Sequence, residues 1–525
     1  MFDSINLQEA LSDIYDYGLD DDNLSLIHEA NKKVQMAVKT SGGLTDRQII
    51  ENSVLQGETW GSLLASVQVD SIAKDIVDAD LGYNYKDDLP ISILGLVDDL
   101  IGVTEAGHKA QQMNVLLNVK SAEKCLQFGV KKCKTMLIGK KPEEVINNAL
   151  FVDGWKEDYV ENKETGEMDL VEQYIGDVEL EQVKEQKYLG FVISSEGNNL
   201  ANIKAMEQKS HGVIRSTINK LDSLNLRQYY FESAFILMNA ILRPSILYAA
   251  ECYYNITEGQ LRRIERIEEK YLRKVFKTSR SCPIIQMYLE AGQWPARFEL
   301  QKMRCLFLKQ ILNQDENSQV VRFFYLQLNQ PVRNDWVSTC MEDLKKLEIF
   351  LAIDDLKNMN DVKFKKLVKS RIKENAFKYL LKRRGSKGQG IEYSGLEMSE
   401  YLLPHNDKVN LDDKQKMFSL KNGMVQIPSN FGKPEEKCFC GERENMPHIY
   451  SCQMLNEKQP EIPFEKLNNG SISDQNRIYQ RFENNMKIRN QIKEMMEVAN
   501  KNKQKNIPPC DLVFDPLNCT LSRNG

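Results

Sequence analysis

The residues from Leu89 to Gly107, LPISILGLVDDLIGVTEAG, decide how the rest of this chain is interpreted. Two short apolar runs, 91–97 and 100–103, flank the adjacent carboxylates Asp98 and Asp99. Apolar runs of this length, bounded by turn residues, predict two buried strands of a hairpin with the acids at its tip. Acids at such a tip can bind Mg²⁺, which takes one or two carboxylates together with substrate phosphates. On these residues alone a polar turn is the better interpretation, so the flanking sequence has to decide.

Length and composition limit the class of protein. At 525 residues the chain is too long for one core and predicts two to four domains. The net charge of −5 argues against a uniformly basic nucleic-acid coat but allows local basic patches. Scattered cysteines and no opening secretory signal favour a reducing, intracellular compartment. The most apolar segment, 234–250, is interrupted by Asn239, Arg243 and Pro244 and predicts a buried, kinked helix rather than a membrane span.

The hydrophobic pattern predicts an α+β fold that becomes largely helical after about residue 200. Four helices are expected: one over 7–17, a second that begins at Asp20, a third that ends near Ile76, and a fourth over 106–126. Strands are expected over 34–40 and 188–193. We divide the chain into four segments: strands and helices over 1–198, helices over 199–310, a helical basic region over 311–390, and a linker, a Cys/His module and a tail over 391–525. An acidic, turn-rich insertion is predicted at 155–185 within the first segment.

Residues 362–387 form the most basic part of the chain, with Glu374 as the single acid and aromatic side chains between the cations. A solvated helix face is the simplest explanation, but the charge excess favours binding of a phosphate backbone. The candidate contacts are Lys365, Lys366, Lys369, Arg371, Lys373, Arg383 and Arg384.

A compact set of metal-ligand residue types lies near the C-terminal end: Cys438, Cys440, His448 and Cys452. Three thiols and one imidazole can supply the four ligands of a closed tetrahedral zinc site, so we expect a structural Zn²⁺. Chance clustering of ordinary cysteines is the alternative. The first pair has one intervening residue, a tighter spacing than that of most zinc ribbons.

Five short motifs follow one another along the chain: Phe2-Asp3-Ser4, Gln56-Gly57, Asp98-Asp99, Lys132-Cys133-Lys134-Thr135 and Tyr188-Leu189-Gly190. This order resembles that of the reverse transcriptase of non-LTR (LINE-type) retrotransposons, and five motifs in the right order are more specific than any one of them. The resemblance covers roughly residues 1–310, with the Cys/His module where such elements carry a zinc knuckle. It implies an incomplete polymerase palm, a small antiparallel sheet with helices, over 1–198, and thumb and post-thumb helices over 199–310.

The resemblance assigns catalytic roles to three residues of this chain. It implies that Asp98 is a Mg²⁺ ligand of the palm and that Asp99 is its less directly bound neighbour. It also implies that Lys132 lies near the leaving pyrophosphate as its general acid. Leu96 stands where the family usually carries an aromatic residue, a position that varies.

The resemblance also assigns binding roles. It implies that Gln56 and Gly57 contact the template and the incoming nucleotide. Phe2 would stack under the sugar and reject a 2′-hydroxyl, the group that distinguishes ribose from deoxyribose. The implied partners are an RNA template, a DNA primer or target and dNTPs, and the implied location is the nucleus. The grip on the primer end is assigned to Tyr188, Leu189 and Gly190.

One departure from the family pattern limits the expected activity. The family's further metal-binding carboxylate lies five residues before the position of Phe2, which is upstream of Met1. Because that carboxylate positions both metals, we expect this chain alone to have no appreciable polymerase activity. Three functions stay open: an RNA-directed DNA polymerase seen as a truncated copy, a non-catalytic nucleic-acid-binding remnant, and a domesticated palm that serves as a scaffold.

Overall fold

A computed structural model describes most of the chain, which divides into two compact units. The first unit comprises Met1–Asn202 with Asp315–Leu326, and the second comprises Ile203–Gln314 with Gln327–Gly525. The predicted division into four segments stays a prediction. The structure leaves undescribed residues 1–4, 33, 51–59, 87, 98, 125, 127–128, 130–131, 140–150, 162–167, 279–281, 385–391, 405–409, 423–436, 439, 457, 505–511, 516–519 and 524–525.

The first unit is a mixed α+β body. Its helices are α1 (Leu7–Asp16), α2 (Asp21–Asn31), α3 (Gly61–Asp78) and α4 (Gly107–Glu123). Its first eight strands are β1 (Val34–Met36), β2 (Lys39–Thr40), β3 (Gly43–Leu44), β4 (Gln48–Ile50), β5 (Tyr83–Tyr85), β6 (Leu89–Ile91), β7 (Ile93–Leu96) and β8 (Asp99–Gly102). The remaining strands are β9 (Lys134–Thr135), β10 (Phe151–Glu161), β11 (Met168–Glu179), β12 (Glu181–Gln182), β13 (Glu185–Tyr188) and β14 (Phe191–Ser194).

Helices α1 and α2 begin at polar caps, and the second of them begins at Asp20, as the sequence predicted. The side chain of Asn6 accepts hydrogen bonds from the amides of Gln8 and Glu9, and Asp20 caps α2 by accepting from the amide of Asn23. Such caps satisfy amides that have no partner within the helix. A small core between α1, α2 and α3 is formed by Ile5, Ala10, Ile14, Ile27, Leu64 and Ala65.

The described strands of the first unit form separate two-stranded pairs, of which only β9 with β12 is parallel. The expected hairpin is present, since β7 pairs with β8 in antiparallel register from Ile93 opposite Gly102 to Leu96 opposite Asp99. The expectation that both strands are buried was wrong, because Leu94 is 44% and Leu96 56% exposed. A two-stranded ribbon cannot cover both of its own faces.

The turns predicted over 155–185 were also wrong for most of the described residues, whereas the prediction that this segment is an insertion stays a prediction. Most of that segment lies in strands β10 and β11, which pair in antiparallel register with an irregularity between Gly154 and Trp155. The many acids and the Glu161–Gly166 segment had suggested turns. Strand propensity depends strongly on context, so the acidic composition did not exclude strands here.

The second unit is built mainly of helices. Its helices up to residue 358 are α6 (Tyr230–Leu237), α7 (Arg243–Ile246), α8 (Glu258–Val275), α9 (Ile284–Ala291), α10 (Ala296–Leu312), α12 (Trp336–Lys346) and α13 (Ile353–Asn358). The remaining elements are α14 (Asp361–Arg383), α15 (Leu411–Lys421), α16 (Met446–Ser451), α17 (Lys466–Asn469), α18 (Ile472–Gln504), β15 (Leu512–Asp515) and β16 (Thr520–Arg523). The chain passes between the units at three points: within α5 (Leu200–Ser223), between α10 and α11, and within α11 (Gln319–Asn329).

The apolar segment 234–250 was predicted to be a buried, kinked helix; it is an interrupted helix that is buried on one face, whereas Ile236 and Tyr248 are more than half exposed. A π-helical turn, Met238–Leu242, interrupts it between α6 and α7. The side chain of Arg243 is buried, and its Nε lies 2.8 Å from Oε1 of the buried Glu268. Among the described residues, no helix is both long enough and apolar enough to cross a membrane.

Residues on the C-terminal side of α14 pack onto the helices of the second unit. The amide of Ser399 donates to the carbonyl oxygen of Glu290 at 2.8 Å, and the hydroxyl of Tyr393 donates to the Glu290 carboxylate at 2.9 Å. In α15, the ring of Phe418 stacks against that of Phe276 with centroids 4.3 Å apart. These contacts join the chain beyond residue 391 to the helical core.

Candidate metal centre and nucleic-acid interface

The first two thiols of the Cys/His module lie on a tight turn. The amide of Cys438 donates a hydrogen bond to the carbonyl oxygen of Glu442 at 2.8 Å. The amide of Gly441 donates to the carbonyl oxygen of Cys438 at 2.9 Å. Gly441 has a φ of +93°, a backbone conformation that a residue without a side chain adopts at no steric cost. The turn therefore brings Cys440 back beside Cys438.

The other two ligands are positioned by a short helix. Asn445 precedes α16 and accepts a hydrogen bond from the amide of His448 at 2.9 Å. His448 thus lies in the first turn of α16, and Cys452 follows the last residue of the helix. One helical segment presents both side chains to the turn that carries Cys438 and Cys440.

The four side chains have the geometry of a metal-ligand set. Their ligand atoms all lie within 4.8 Å of one another. The Sγ atoms of Cys438 and Cys452 are 3.7 Å apart, and Sγ of Cys440 is 3.3 Å from Nε2 of His448. Zn–S bonds of about 2.3 Å in a tetrahedron place two sulfurs about 3.8 Å apart. The cluster can therefore hold a metal ion such as zinc.

Burial favours the neutral form of one ligand in the absence of metal. Burial, together with the nearby thiol of Cys452, raises the pKa of Cys438 to about 12. A metal ligand must be the thiolate, so a bound cation has to displace this proton.

The residues that support the ligand loop were missed in the sequence. Glu444, which is 1% exposed, accepts two hydrogen bonds from the guanidinium of Arg489 in α18 and lies 3.6 Å from Nζ of Lys493. Burial alone would raise the pKa of Glu444, but the bonds and charge of Arg489 outweigh it and hold that pKa below its usual value. No spacing rule pairs these residues, because they are separated by 45 positions.

Two hairpins of the first unit, β7–β8 and β13–β14, contact each other. The resemblance assigned the acids to the first and the primer grip to the second. The hydroxyl of Tyr188 lies 3.3 Å from the carbonyl oxygen of Asp99. Burial, and to a smaller extent the charge of Asp99, raises the pKa of Tyr188. Val97, two residues before Asp99 in the chain, has a φ of +57°. The structure therefore places the first residue of the predicted primer grip beside Asp99.

The expectation of one strand over 188–193 was wrong. Leu189 and Gly190, with φ of +47° and +84°, form the two-residue turn between β13 and β14. Two successive residues with positive φ are typical of the tightest hairpin turns. The predicted grip is therefore a hairpin tip.

The other residues of the predicted polymerase site are not assembled by the described structure. Lys132 is exposed, and no described contact links its side chain to Asp99 or Tyr188. Its neighbour Lys134 instead pairs with Glu181. The remaining predicted residues lie outside the described part of the chain: Phe2, Gln56, Gly57 and Asp98.

The predicted phosphate-binding cations lie on α14, except Arg384, which follows its last residue, and they fall into two groups. Buried side chains recur every four residues along this helix: Phe364, Val368, Ile372, Ala376 and Leu380. The exposed group, which has no acidic partner within the described residues, is Lys365, Lys366 and Lys369.

The second group is engaged within the protein. Arg371 lies 3.1 Å from Glu374 and 3.6 Å from Glu348, and Lys373 lies 2.9 Å from Glu397. Arg383 stacks on the ring of Tyr379 at 4.6 Å, and Arg384 on that of Tyr393 at 5.9 Å. These four side chains have partners within the protein, so Lys365, Lys366 and Lys369 are the predicted contacts without an acidic or aromatic partner among the described residues.

No protein-family model matches the chain, and a search of curated proteins found no match.

Proposed function

We propose that the protein is of the non-LTR retrotransposon reverse transcriptase type, an RNA-directed DNA polymerase, and that this chain alone binds the substrates without appreciable polymerase activity. The observation that supports this proposal is the contact between the hydroxyl of Tyr188, the first residue of the predicted primer grip, and the carbonyl oxygen of Asp99, one of the two predicted metal-binding acids. Nucleotidyl transfer requires the primer end next to such acids, because bound Mg²⁺ stabilises the charge that develops on the transferring phosphate.

In this proposal the chain's own residues bind and orient the substrates. The hairpin tip at Leu189 and Gly190 would hold the last primer nucleotide, and Asp98 with Asp99 would receive the metal. Gln56 and Gly57 would contact the template and the nucleotide, Phe2 the sugar, and Lys132 the pyrophosphate. The substrates are an RNA template, a DNA primer and dNTPs, and the proposed location is the nucleus.

A cross-linking experiment tests the proposal without requiring turnover. A DNA primer with a photoreactive 3′-terminal nucleotide is annealed to an RNA template, bound to the full chain with Mg²⁺ and irradiated. The expected result is cross-linking to the peptides that contain 93–102 and 185–194. A blunt duplex carrying the same nucleotide serves as the control and should label these peptides much less. Cross-links that avoid both hairpins, or that do not depend on the recessed end, would overturn the proposal.

A second candidate function is nucleic-acid binding without catalysis. It is favoured by the exposed side chains of Lys365, Lys366 and Lys369 on α14, which have no acidic partner among the described residues. The Cys/His cluster would add Zn²⁺ as a structural ion, since four protein ligands leave no open coordination position.

Salt dependence of RNA binding tests this second candidate. Each phosphate contact adds about 0.7 to the slope of log K against log salt for a single strand, so changing the three lysines to glutamine should lower the slope by about two. The matched control changes Arg371, Lys373 and Lys378, which pair with acids, and should alter the slope less. An unchanged slope in the first variant would contradict this candidate. A lowered slope without hairpin cross-links would favour it over the polymerase.

A further inference from the structure

We propose that helix α18 is a structural part of the Cys/His metal centre, with Arg489 and Asn485 as the positioning residues that set its metal affinity. The inference rests on the metal assignment and is independent of the polymerase proposal. None of the four ligands lies on α18, yet the helix contacts the segments on both sides of His448.

The first contact fixes the loop between Cys440 and His448. Glu444, in this loop, points inward and is 1% exposed, and the buried guanidinium of Arg489 donates to both of its carboxylate oxygens. A two-pronged bond of this kind specifies orientation as well as distance. A carboxylate buried without its cation is strongly unfavourable, so Arg489, with Lys493 at 3.6 Å as a second cation, stabilises this conformation of the loop.

The second contact fixes the helix that carries His448. The amide nitrogen Nδ2 of Asn485 donates to the carbonyl oxygens of Ile449 at 2.7 Å and Tyr450 at 3.2 Å. Nε of Arg481 donates to the same Tyr450 oxygen at 2.9 Å. The last carbonyls of a short helix lack partners of their own, so α18 supplies them. The segment from His448 to Cys452 is thereby held in one orientation.

Helix α18 is itself anchored on its other side. The hydroxyl of Tyr479 donates to Oδ1 of Asp413 at 2.8 Å, and Lys416 lies 3.7 Å from Glu483. Asp413 and Lys416 lie on α15, which packs through Phe418 on the helical core. The ligand loop therefore rests on an anchored surface. Partners that orient metal ligands commonly change metal affinity 10–100-fold when they are removed.

The test is a metal titration of the full chain. Co²⁺ replaces Zn²⁺ as a spectroscopic probe, because thiolate–Co²⁺ charge-transfer and ligand-field bands report tetrahedral sulfur ligation, and Zn²⁺ affinity is then measured by competition with a chelator. We expect Arg489→Met and Asn485→Ala to weaken Zn²⁺ binding about 10–100-fold and to alter the Co²⁺ bands. Arg489→Lys, which keeps the charge but not the two-pronged bond, should fall between Arg489→Met and the unchanged protein.

The titration includes a control variant on the same helix and a substitute variant in case Arg489→Met does not fold. Lys487→Met changes an exposed cation on the same helix and should leave the affinity within about twofold. If Arg489→Met does not fold by circular dichroism, Glu444→Gln, which keeps the shape of the side chain, decides instead. Unchanged affinity and spectra in the folded Asn485→Ala and Glu444→Gln proteins would overturn the inference. A wild-type chain without thiolate–Co²⁺ bands would overturn the metal assignment itself.

Discussion

The hydroxyl of Tyr188 donates a hydrogen bond to the carbonyl oxygen of Asp99, 89 residues earlier in the chain. The bond joins the tip of the β13–β14 hairpin to the tip of the β7–β8 hairpin. It is a polar link between two otherwise separate two-stranded pairs. Its removal should therefore act on the relative position of the tips more than on global stability.

The variant Tyr188→Phe tests this role. One hydrogen bond contributes about 1 kcal/mol, so we expect the Kd for a primer–template with a recessed 3′ end to rise about fivefold. Binding of a blunt duplex should not change. Tyr83→Phe, which removes another partly exposed hydroxyl of the first unit, is the control. Binding is measured by fluorescence anisotropy. If Tyr188→Phe binds each nucleic acid with the same Kd as the unchanged protein, the bond between Tyr188 and Asp99 does not position the hairpin tips for the primer end.

Gly292 is expected to tolerate no side chain. Its φ is +62°, and a Cβ would lie 2.3 Å from the amide nitrogen of Met398 and 2.4 Å from the carbonyl carbon of Glu397. Because both neighbours are backbone atoms, Gly292→Ala should lower the free energy of unfolding by more than about 2 kcal/mol in urea titrations. Gly212→Ala, in the exposed middle of α5 with nothing within 4 Å, should instead stabilise the protein by up to about 1 kcal/mol. Similar changes in the free energy of unfolding for the two variants would contradict the close approach of Gly292 to the backbone of Glu397 and Met398.

The buried pair of Arg243 and Glu268 should be sensitive to loss of its cation. Both side chains are at most 3% exposed. Arg243→Met leaves the carboxylate buried without its partner and should cost about 3–5 kcal/mol. The control Arg263→Met removes an ion pair with Glu207 in which both side chains are about a third exposed, and should cost less than about 1 kcal/mol. Equal losses of stability in the two variants would show that burial does not matter here.

The stability of the Arg243→Met variant should also depend on pH. Burial raises the pKa of Glu268 even though Arg243 opposes the shift, so folding favours its neutral form. A carboxyl with a raised folded pKa contributes stability below its unfolded pKa and loses it as pH rises through the folded pKa. We therefore expect the deficit of the variant to shrink between pH 7 and pH 5. A deficit that grows on acidification would contradict this assignment.

Removal of metal should loosen the Cys/His cluster and the part of α18 that contacts it. A chelator is expected to lower the melting temperature and to speed amide exchange in 437–455 and 481–493, because an ion that binds only the folded state stabilises it. Cys440→Ser should reproduce the effect without chelator. Cys252→Ser, at an exposed cysteine outside the cluster, should not. Exchange that accelerates equally in α1–α3 would mean that the chelator acts elsewhere.

Local patterns in the sequence were sufficient for the features that depend on near neighbours. The cap at Asp20, the irregular helix around Arg243 and the hairpin at Asp99 all formed where the residues had indicated. The Cys/His cluster was also predictable, because its four ligands span only fifteen residues and one turn and one short helix bring them together. Caps, turns and ligand spacing act over a few residues, so they can be recognised without the fold.

Tertiary structure alone decided which faces are covered and which distant residues meet. Strand burial at Leu94 and Leu96 was predicted wrongly, because apolar composition does not show whether another layer is present. The pairing of Arg371 and Lys373 with acids, and their difference from Lys365 and its neighbours, depends on chain segments outside α14. The contact of Glu444 with Arg489 is of the same kind. Such contacts depend on how the whole chain folds back on itself, and no local propensity encodes that.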